Sequence, residues 1–195
     1  MRTMSADRPR APDEMHLRPL DADRLDLLEP LWRSLVDRIR VPGNVVPIVP
    51  HEQSWPRRRA EYAELLSEGD SFGLVAHRGD ELIGYAVVRV DDGPDPVWAT
   101  GARYVELTSI SVAPEERGRG VGTRLLDEVE RRLSRLGVGG LVIGVDAVNG
   151  DALRFYERRG FKVGYHLLYG RLHDPGGEAE PADDEGPETA SHGEA

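Results

Sequence analysis

The apolar residues of this chain fall into runs of two different periods. Between 21 and 40, Leu25, Leu28, Trp32, Leu35 and Ile39 recur at steps of three and four, the stripe of a helix with one face on a core. Asp21-Ala-Asp supplies helix-start chemistry, and Pro30, with no N–H to give an interior turn, must kink or restart the helix. Just before it, 17–20 reads as a first strand. Four prolines, with Gly43, Asn44, His51, Glu52 and Trp55 among them, make 41–56 a long irregular stretch of the kind that serves as a binding loop. A short helix over 57–66 follows, ending at Gly69.

Beyond that point β-type runs begin. Segments 71–76 and 82–90 form a hairpin through Arg78-Gly79-Asp80, and 104–112 is a further strand. A helix over 120–136 places Val121, Leu125, Val129, Leu133 and Leu136 on one side. Its exposed side carries acid-first pairs four apart, Asp127 with Arg131 and Glu128 with Arg132, and Gly137 ends it. Segment 141–145 is a buried-type strand, so strand, helix and strand make a right-handed crossover with parallel strands. A last helix over 149–159 closes on Gly160 and Phe161, and 161–172 supplies one or two terminal strands.

Charge narrows the partners. The net charge of −10 is concentrated at the end: residues 174–195 hold eight acidic groups and no Lys or Arg, which leaves 27 acidic and 25 basic groups in the first 173. That tail has too little apolar surface to offset ordering entropy, so 174–195 reads as an acidic disordered tail, and 1–14 as disordered too. One domain over 15–173 remains. A nearly neutral body argues against nucleic acid. No apolar run approaches a membrane span and no signal-peptide core is present, so a reducing cytoplasm is the default expectation. Without cysteine there is no disulfide, no Cys-based metal site and no thiol nucleophile.

The candidate chemistry sits in Val112-Ala-Pro-Glu-Glu-Arg-Gly-Arg-Gly-Val-Gly122, between a strand and an amphipathic helix. Gly118, Gly120 and Gly122 tolerate unusual φ and let a ligand approach the bare backbone. The helix behind them leaves its first N–H groups unpaired, an anion site to which Arg117 and Arg119 add charge. A Walker loop does not fit, because the one lysine of the chain is Lys162. A dinucleotide fingerprint fits poorly, since the spacing is Gly-x-Gly-x-Gly with Thr123 next, although Asp146 stands where a ribose-binding acid could sit.

The letters match Arg-x-x-Gly-x-Gly instead, as Arg117-Gly-Arg-Gly-Val-Gly122 after Ile110-Ser-Val-Ala-Pro114. A second motif follows in order, Asn149-Gly-Asp-Ala-Leu-Arg-Phe-Tyr-Glu-Arg-Arg-Gly-Phe161. Together they resemble the GNAT superfamily of acyl-CoA-dependent N-acetyltransferases, over 15–172 and most clearly from residue 71 onward. The resemblance implies an α/β (α+β) fold: a mixed, mostly antiparallel central sheet with one splayed parallel strand pair, flanked by helices. It implies acetyl-CoA as acyl donor, with pantetheine along Ile110, Ser111 and Val112. Its pyrophosphate would lie on the amides of Arg117, Gly118, Arg119, Gly120, Val121 and Gly122, with Thr123 opening the helix.

Asn149 has helix N-cap geometry available, and by the resemblance also contacts pantetheine. Tyr156 is either aromatic packing beside Phe155 or, by family position, the general acid for the departing thiolate. Glu106 is the first candidate base. Even spacing on one strand puts it on the same sheet face as Val112, and a plain solvent-facing acid is the alternative. His51 and Glu52 are further candidates. Members that modify protein N-termini often carry a glutamate on the next strand, where this chain has Gly144. The expected reaction is direct acetyl transfer to a primary amine of a small molecule or peptide. A non-catalytic acyl-CoA-binding sensor is the other reading, and a nucleotide-binding oxidoreductase a third. Trp32, Trp55 and Trp98 are candidates for a stacking wall at the acceptor. Family members often form homodimers, and no residue here fixes an interface.

Overall fold

Five strands form one sheet in the order β1-β2-β3-β4-β5: Met15–Pro19, Phe72–Arg78, Glu81–Asp92, Arg103–Val112 and Val142–Ile143. The first four run antiparallel, and β5 lies parallel to β4. Helices α1 (Glu29–Ile39), α2 (His51–Ser67), α3 (Val121–Arg135) and α4 (Gly150–Arg158) complete the fold. In this computed structural model the described residues are 14–41, 46–67, 69–93, 97 and 101–169. The ends read as disordered lie outside them apart from Glu14, as do Gly43, Asn44 and Trp98. Met1–Lys162 makes one compact unit, and the described part of the second, 163–169, carries no helix or strand.

Alternation along each strand gives the sheet two apolar faces, and each has its own core. On one, Leu25, Leu28, Leu31 and Trp32 from the segment through α1 and Trp55, Tyr62 and Leu65 from α2 pack on Val75, Tyr85 and Val87. On the other, Val121, Leu125, Leu126, Val129 and Leu133 of α3 pack with Tyr156 of α4 on Leu74, Ala86, Val88 and Leu107. Proline restarts the first helix as its chemistry dictates: a 3-10 segment over Ala22–Leu28 gives way to α1, with Pro30 in its first turn. Asp21 caps with its backbone, its carbonyl accepting from the Arg24 N–H, and no side-chain cap bond forms.

Several expectations are corrected. Helix α2 begins at His51, not 57, and takes Pro56 inside it at the loss of one rung. Burial of Trp55 and Tyr62 outweighs that loss. Trp32 and Trp55 are each 5% exposed and tilt on one another with centroids 5.3 Å apart, so they are core and not a stacking wall. Asp127 pairs with Arg159 of the segment after α4, at 2.6 Å, and not with Arg131; Glu128 does bridge Arg132, at 3.0 Å. The terminal strands are absent over 163–169, although Val163, Tyr165, Leu167 and Tyr169 alternate. A strand exists only against a partner, and Leu167 and Leu168 are 90% exposed. Residues 170–172 lie outside the described set.

The correction with most consequence is a β-bulge in β4. Val87 stands opposite Ser109 and Val88 opposite Leu107, which leaves Thr108 without a cross-strand partner. Parity therefore flips: Val105 and Leu107 face α3, as do Ile110 and Val112, while Ser109 and Ser111 turn toward α1 and α2. Glu106 and Val112 consequently leave opposite faces of the sheet. The signal was legible, because the apolar positions run 105, 107, then 110, 112, a break of phase.

Close packing at Gly73 makes a stability prediction. A Cβ there meets Leu20 Cβ and Cδ2 at 2.7 Å, and Gly73 O accepts from the Leu20 N–H at 3.0 Å, so neither segment has room to retreat. Gly73→Ala should lower unfolding free energy by about 1–3 kcal/mol, the usual cost of overpacking. An unchanged urea midpoint would contradict that packing.

Candidate active site

The site begins where the sheet opens. Parallel pairing of β4 with β5 holds for two positions, Glu106 with Val142 and Leu107 with Ile143, and then stops. From Thr108 to Val112 the β5-side edge of β4 has no strand partner among the described residues, while its other edge stays paired to β3 through Ile110, Ser111 and Val112. The bulge at Thr108 falls at that parting. A wedge results along an edge of β4 that no strand covers, of a kind that ordinary sheet packing avoids.

The glycine loop closes one end of the wedge. After Val112 the chain makes one 3-10 turn, Pro114–Glu116, then passes Gly118 at φ 75° and Gly120 at φ 82° before entering α3. Gly120 is the N-cap and no side chain caps the helix. The N–H groups of Gly118, Gly120, Val121, Gly122 and Thr123 have no protein acceptor among the described residues. A Cβ at Gly118 or Gly120 would project into open space, so these glycines serve φ, whereas Gly122 lies against Val112 and Phe155. A concave run of free amides at a helix start is a site for phosphate.

Four buried or half-buried contacts hold that loop in place, and sequence reasoning had assigned one of its residues otherwise. Arg117 turns inward, its Nε donating to Val112 O at 3.1 Å and its Nη2 to Ser34 Oγ of α1 at 2.9 Å. Burial lowers its pKa, Arg38 adds to that, and Glu115 opposes it. Its task is to fasten the loop to α1, and its N–H goes to Pro114 O at 3.4 Å as that of Arg119 goes to Glu116 O at 3.4 Å, so neither of these two amides joins the free ones. Arg119 stays exposed, with Glu116 3.5 Å away. Buried Glu116 accepts both Nε and Nη2 of Arg78 on β2, and those hydrogen bonds hold its carboxyl below the usual range. Nothing local in Pro-Glu-Glu-Arg marks Glu116 as buried, since its partner lies 38 residues away.

Asn149 is the N-cap of α4, its side-chain oxygen accepting from Ala152 N–H at 3.3 Å. Tyr156 is 6% exposed, its ring edge-on to Phe155 and Phe161 at 5.2 and 5.8 Å. Burial pushes its phenol up to about 12. Glu106 lies on the α2 side of β4, directly across from Arg89, with Arg89 Nη1 3.9 Å from its carboxylate. Arg89 also approaches Glu61 at 3.6 Å and lines a groove of about 390 Å³ with Glu61, Glu64, Asp91 and Asp92. Ser111 sends its hydroxyl to Leu31 O of α1, and its backbone stands opposite Tyr85 on β3, so the open edge of β4 is presented by its neighbours Ile110 and Val112. The remaining base candidates are committed elsewhere: His51 Nε2 meets Asp37 at 2.8 Å, and Glu52 is exposed in the first turn of α2. Gly144 follows β5 and is exposed.

A splayed parallel pair, a free-amide loop after the first strand and a capped helix after the second define the acetyltransferase architecture anticipated from the two motifs. The Acetyltransferase (GNAT) family model matches residues 32–161, and the chain belongs to that family. It is 30% identical over 149 residues to a mycothiol acetyltransferase of Brachybacterium faecium, covering 74% of this chain and 42% of that one. It is also 30% identical over 105 residues to an uncharacterized N-acetyltransferase of Mycobacterium bovis, covering 53% and 61%. The chain thus spans about half the length of the curated relatives it matches. Among solved structures, a GCN5-related N-acetyltransferase from Ralstonia eutropha superposes with a TM-score of 0.66 at 19% identity, over 82% of this chain and all of that one. An aminoglycoside N-acetyltransferase in complex with CoA gives 0.63 at 21%, over 84% and 97%. At these identities the likeness is one of fold.

Proposed function

We propose that this protein is an acetyl-CoA-dependent N-acetyltransferase that acts on a primary amine of a small molecule or peptide by direct transfer in a ternary complex. The observation that carries the reading is the wedge between β4 and β5, with five free amides at its end. Acetyl-CoA supplies an activated thioester. The open edge of β4 over Ile110 to Val112 is suited to hold pantetheine, and the Asn149 amide adds a side-chain contact. The free amides of Gly118, Gly120, Val121, Gly122 and Thr123 hold the pyrophosphate, with the exposed Arg119 side chain beside them and Arg117 anchoring the loop from behind.

Glu106 takes the proton that the amine loses as its nitrogen bonds to the acetyl carbon, directly or through water. Tyr156 gives its phenolic proton to the sulfur as the carbon–sulfur bond breaks, so the products are the N-acetyl amide and a free thiol. A phenol near 12 stays protonated against a thiol of roughly 8.5. It therefore acts first as a hydrogen-bond donor to developing charge, and once its proton has passed to sulfur the proton held by Glu106 returns through water to the phenolate, which resets both groups. Acidic side chains lining the groove beside Arg89 favour the approach of a cationic amine.

Two results test this scheme. Initial rates with both substrates varied should give intersecting lines, whereas parallel lines would indicate a covalent acyl-enzyme. The pH profile of kcat/KM should rise as the amine loses its proton, with no descending limb until pH approaches 12. The sign follows from Tyr156: its acid form is the active one, and burial keeps it protonated through the working range. A descending limb near neutrality would remove Tyr156 from the proton path.

A further inference from the structure

A second cationic cluster adjoins the glycine loop. It lines a cavity of about 490 Å³ formed by Arg38, Val148, Asn149, Gly150, Asp151 and Arg154. Its walls come from two layers that the sheet otherwise keeps apart, α1 belonging to the core of one face and α4 to that of the other. One ion pair joins them, Arg38 Nη2 to Asp151 Oδ2 at 2.8 Å, and α1 and α4 otherwise scarcely touch. Arg154 holds the other oxygen of the same carboxylate. Two guanidiniums thus share one carboxylate, which leaves the cluster net positive. Ser34, gripped by Arg117, lies one helical turn before Arg38, so the cluster stands next to the anchored loop.

A pair this exposed holds weakly in water, and Asp151 offers one charge to two arginines. A phosphate dianion matches two guanidiniums better in both charge and geometry. We propose that Arg38 and Arg154 form a second anion subsite, filled by Asp151 in the free protein and taken over by a phosphomonoester at the nucleotide end of the donor. The glycine loop has amides enough for a diphosphate, so the arginines read a further phosphate. That is the ribose phosphate by which coenzyme A differs from dephospho-coenzyme A. Its arrival releases Asp151 and breaks the strap between α1 and α4. The proposal rests on the donor reading above.

Calorimetric titration of the full chain with coenzyme A and with dephospho-coenzyme A tests it. The protein should prefer coenzyme A by about tenfold or more, the scale of a charge-assisted pair. Arg38→Ala with Arg154→Ala should bind both ligands alike, at the strength of dephospho-coenzyme A. Asp151→Asn, which frees the arginines and keeps the test available if the double variant does not fold, should bind coenzyme A more tightly and leave the other ligand unchanged. Equal affinities in the unmodified protein, a preference surviving the double substitution, or a double variant weakened equally toward both ligands would each overturn the subsite while leaving the donor reading intact. Binding of neither ligand by the unmodified protein would overturn both.

Discussion

Tyr156→Phe should lower kcat by about 10²- to 10⁴-fold, the range a positioned general acid contributes, while the KM for acetyl-CoA and the melting temperature stay close to their original values. The separation follows from what the substitution removes. Phenylalanine keeps the ring that packs edge-on against Phe155 and Phe161, and with it the apolar contacts of a 6%-exposed side chain. Only the hydroxyl goes. Since burial already holds that phenol neutral, no charge is lost from the resting site. Thiol release by the purified variant measures the effect, and a kcat equal to that of the unmodified protein would assign Tyr156 to packing alone.

Gly120→Glu should raise the KM for acetyl-CoA at least ~100-fold, a loss of about 2.7 kcal/mol. Two costs combine. Gly120 sits at φ 82°, where an L residue is strained by roughly 1–2 kcal/mol, and the new carboxylate points toward the free amides meant for phosphate. No clash contributes, because the space beyond Gly120 is open. Gly120→Ala isolates the conformational part and should show about a tenfold effect or less. Donor affinity unchanged in the glutamate variant would contradict the cradle.

Features that depend on neighbours in sequence were legible from the letters. Helix α3 announces itself by Val121, Leu125, Val129 and Leu133, all of which are buried. The loop before it announces itself by glycines whose positive φ the structure requires at Gly118 and Gly120. Asn149 caps α4 as its position indicates. What escaped depends on contacts between distant segments. Arg117 reads as a phosphate ligand until Ser34, 83 residues away, is seen to hold its guanidinium. Arg38 and Asp151, 113 residues apart, carry no mutual signal. Parity along β4 failed for a different reason, since counting by twos assumes an unbroken ladder and Thr108 interrupts it. Proline counting misplaced the start of α2, because burial of Trp55 and Tyr62 outweighs one lost rung at Pro56.

The central claim is that the wedge between β4 and β5 delivers acetyl to an amine, and the most direct test is amine-dependent thiol release from acetyl-CoA by the purified protein. The panel should span aminoglycosides, polyamines, amino acids and short peptides. Saturable turnover with at least one primary amine, with one thiol released per N-acetyl product formed, is the predicted result. Saturable binding of acetyl-CoA without thiol release for any amine would contradict transfer and leave the protein as an acyl-CoA-binding module.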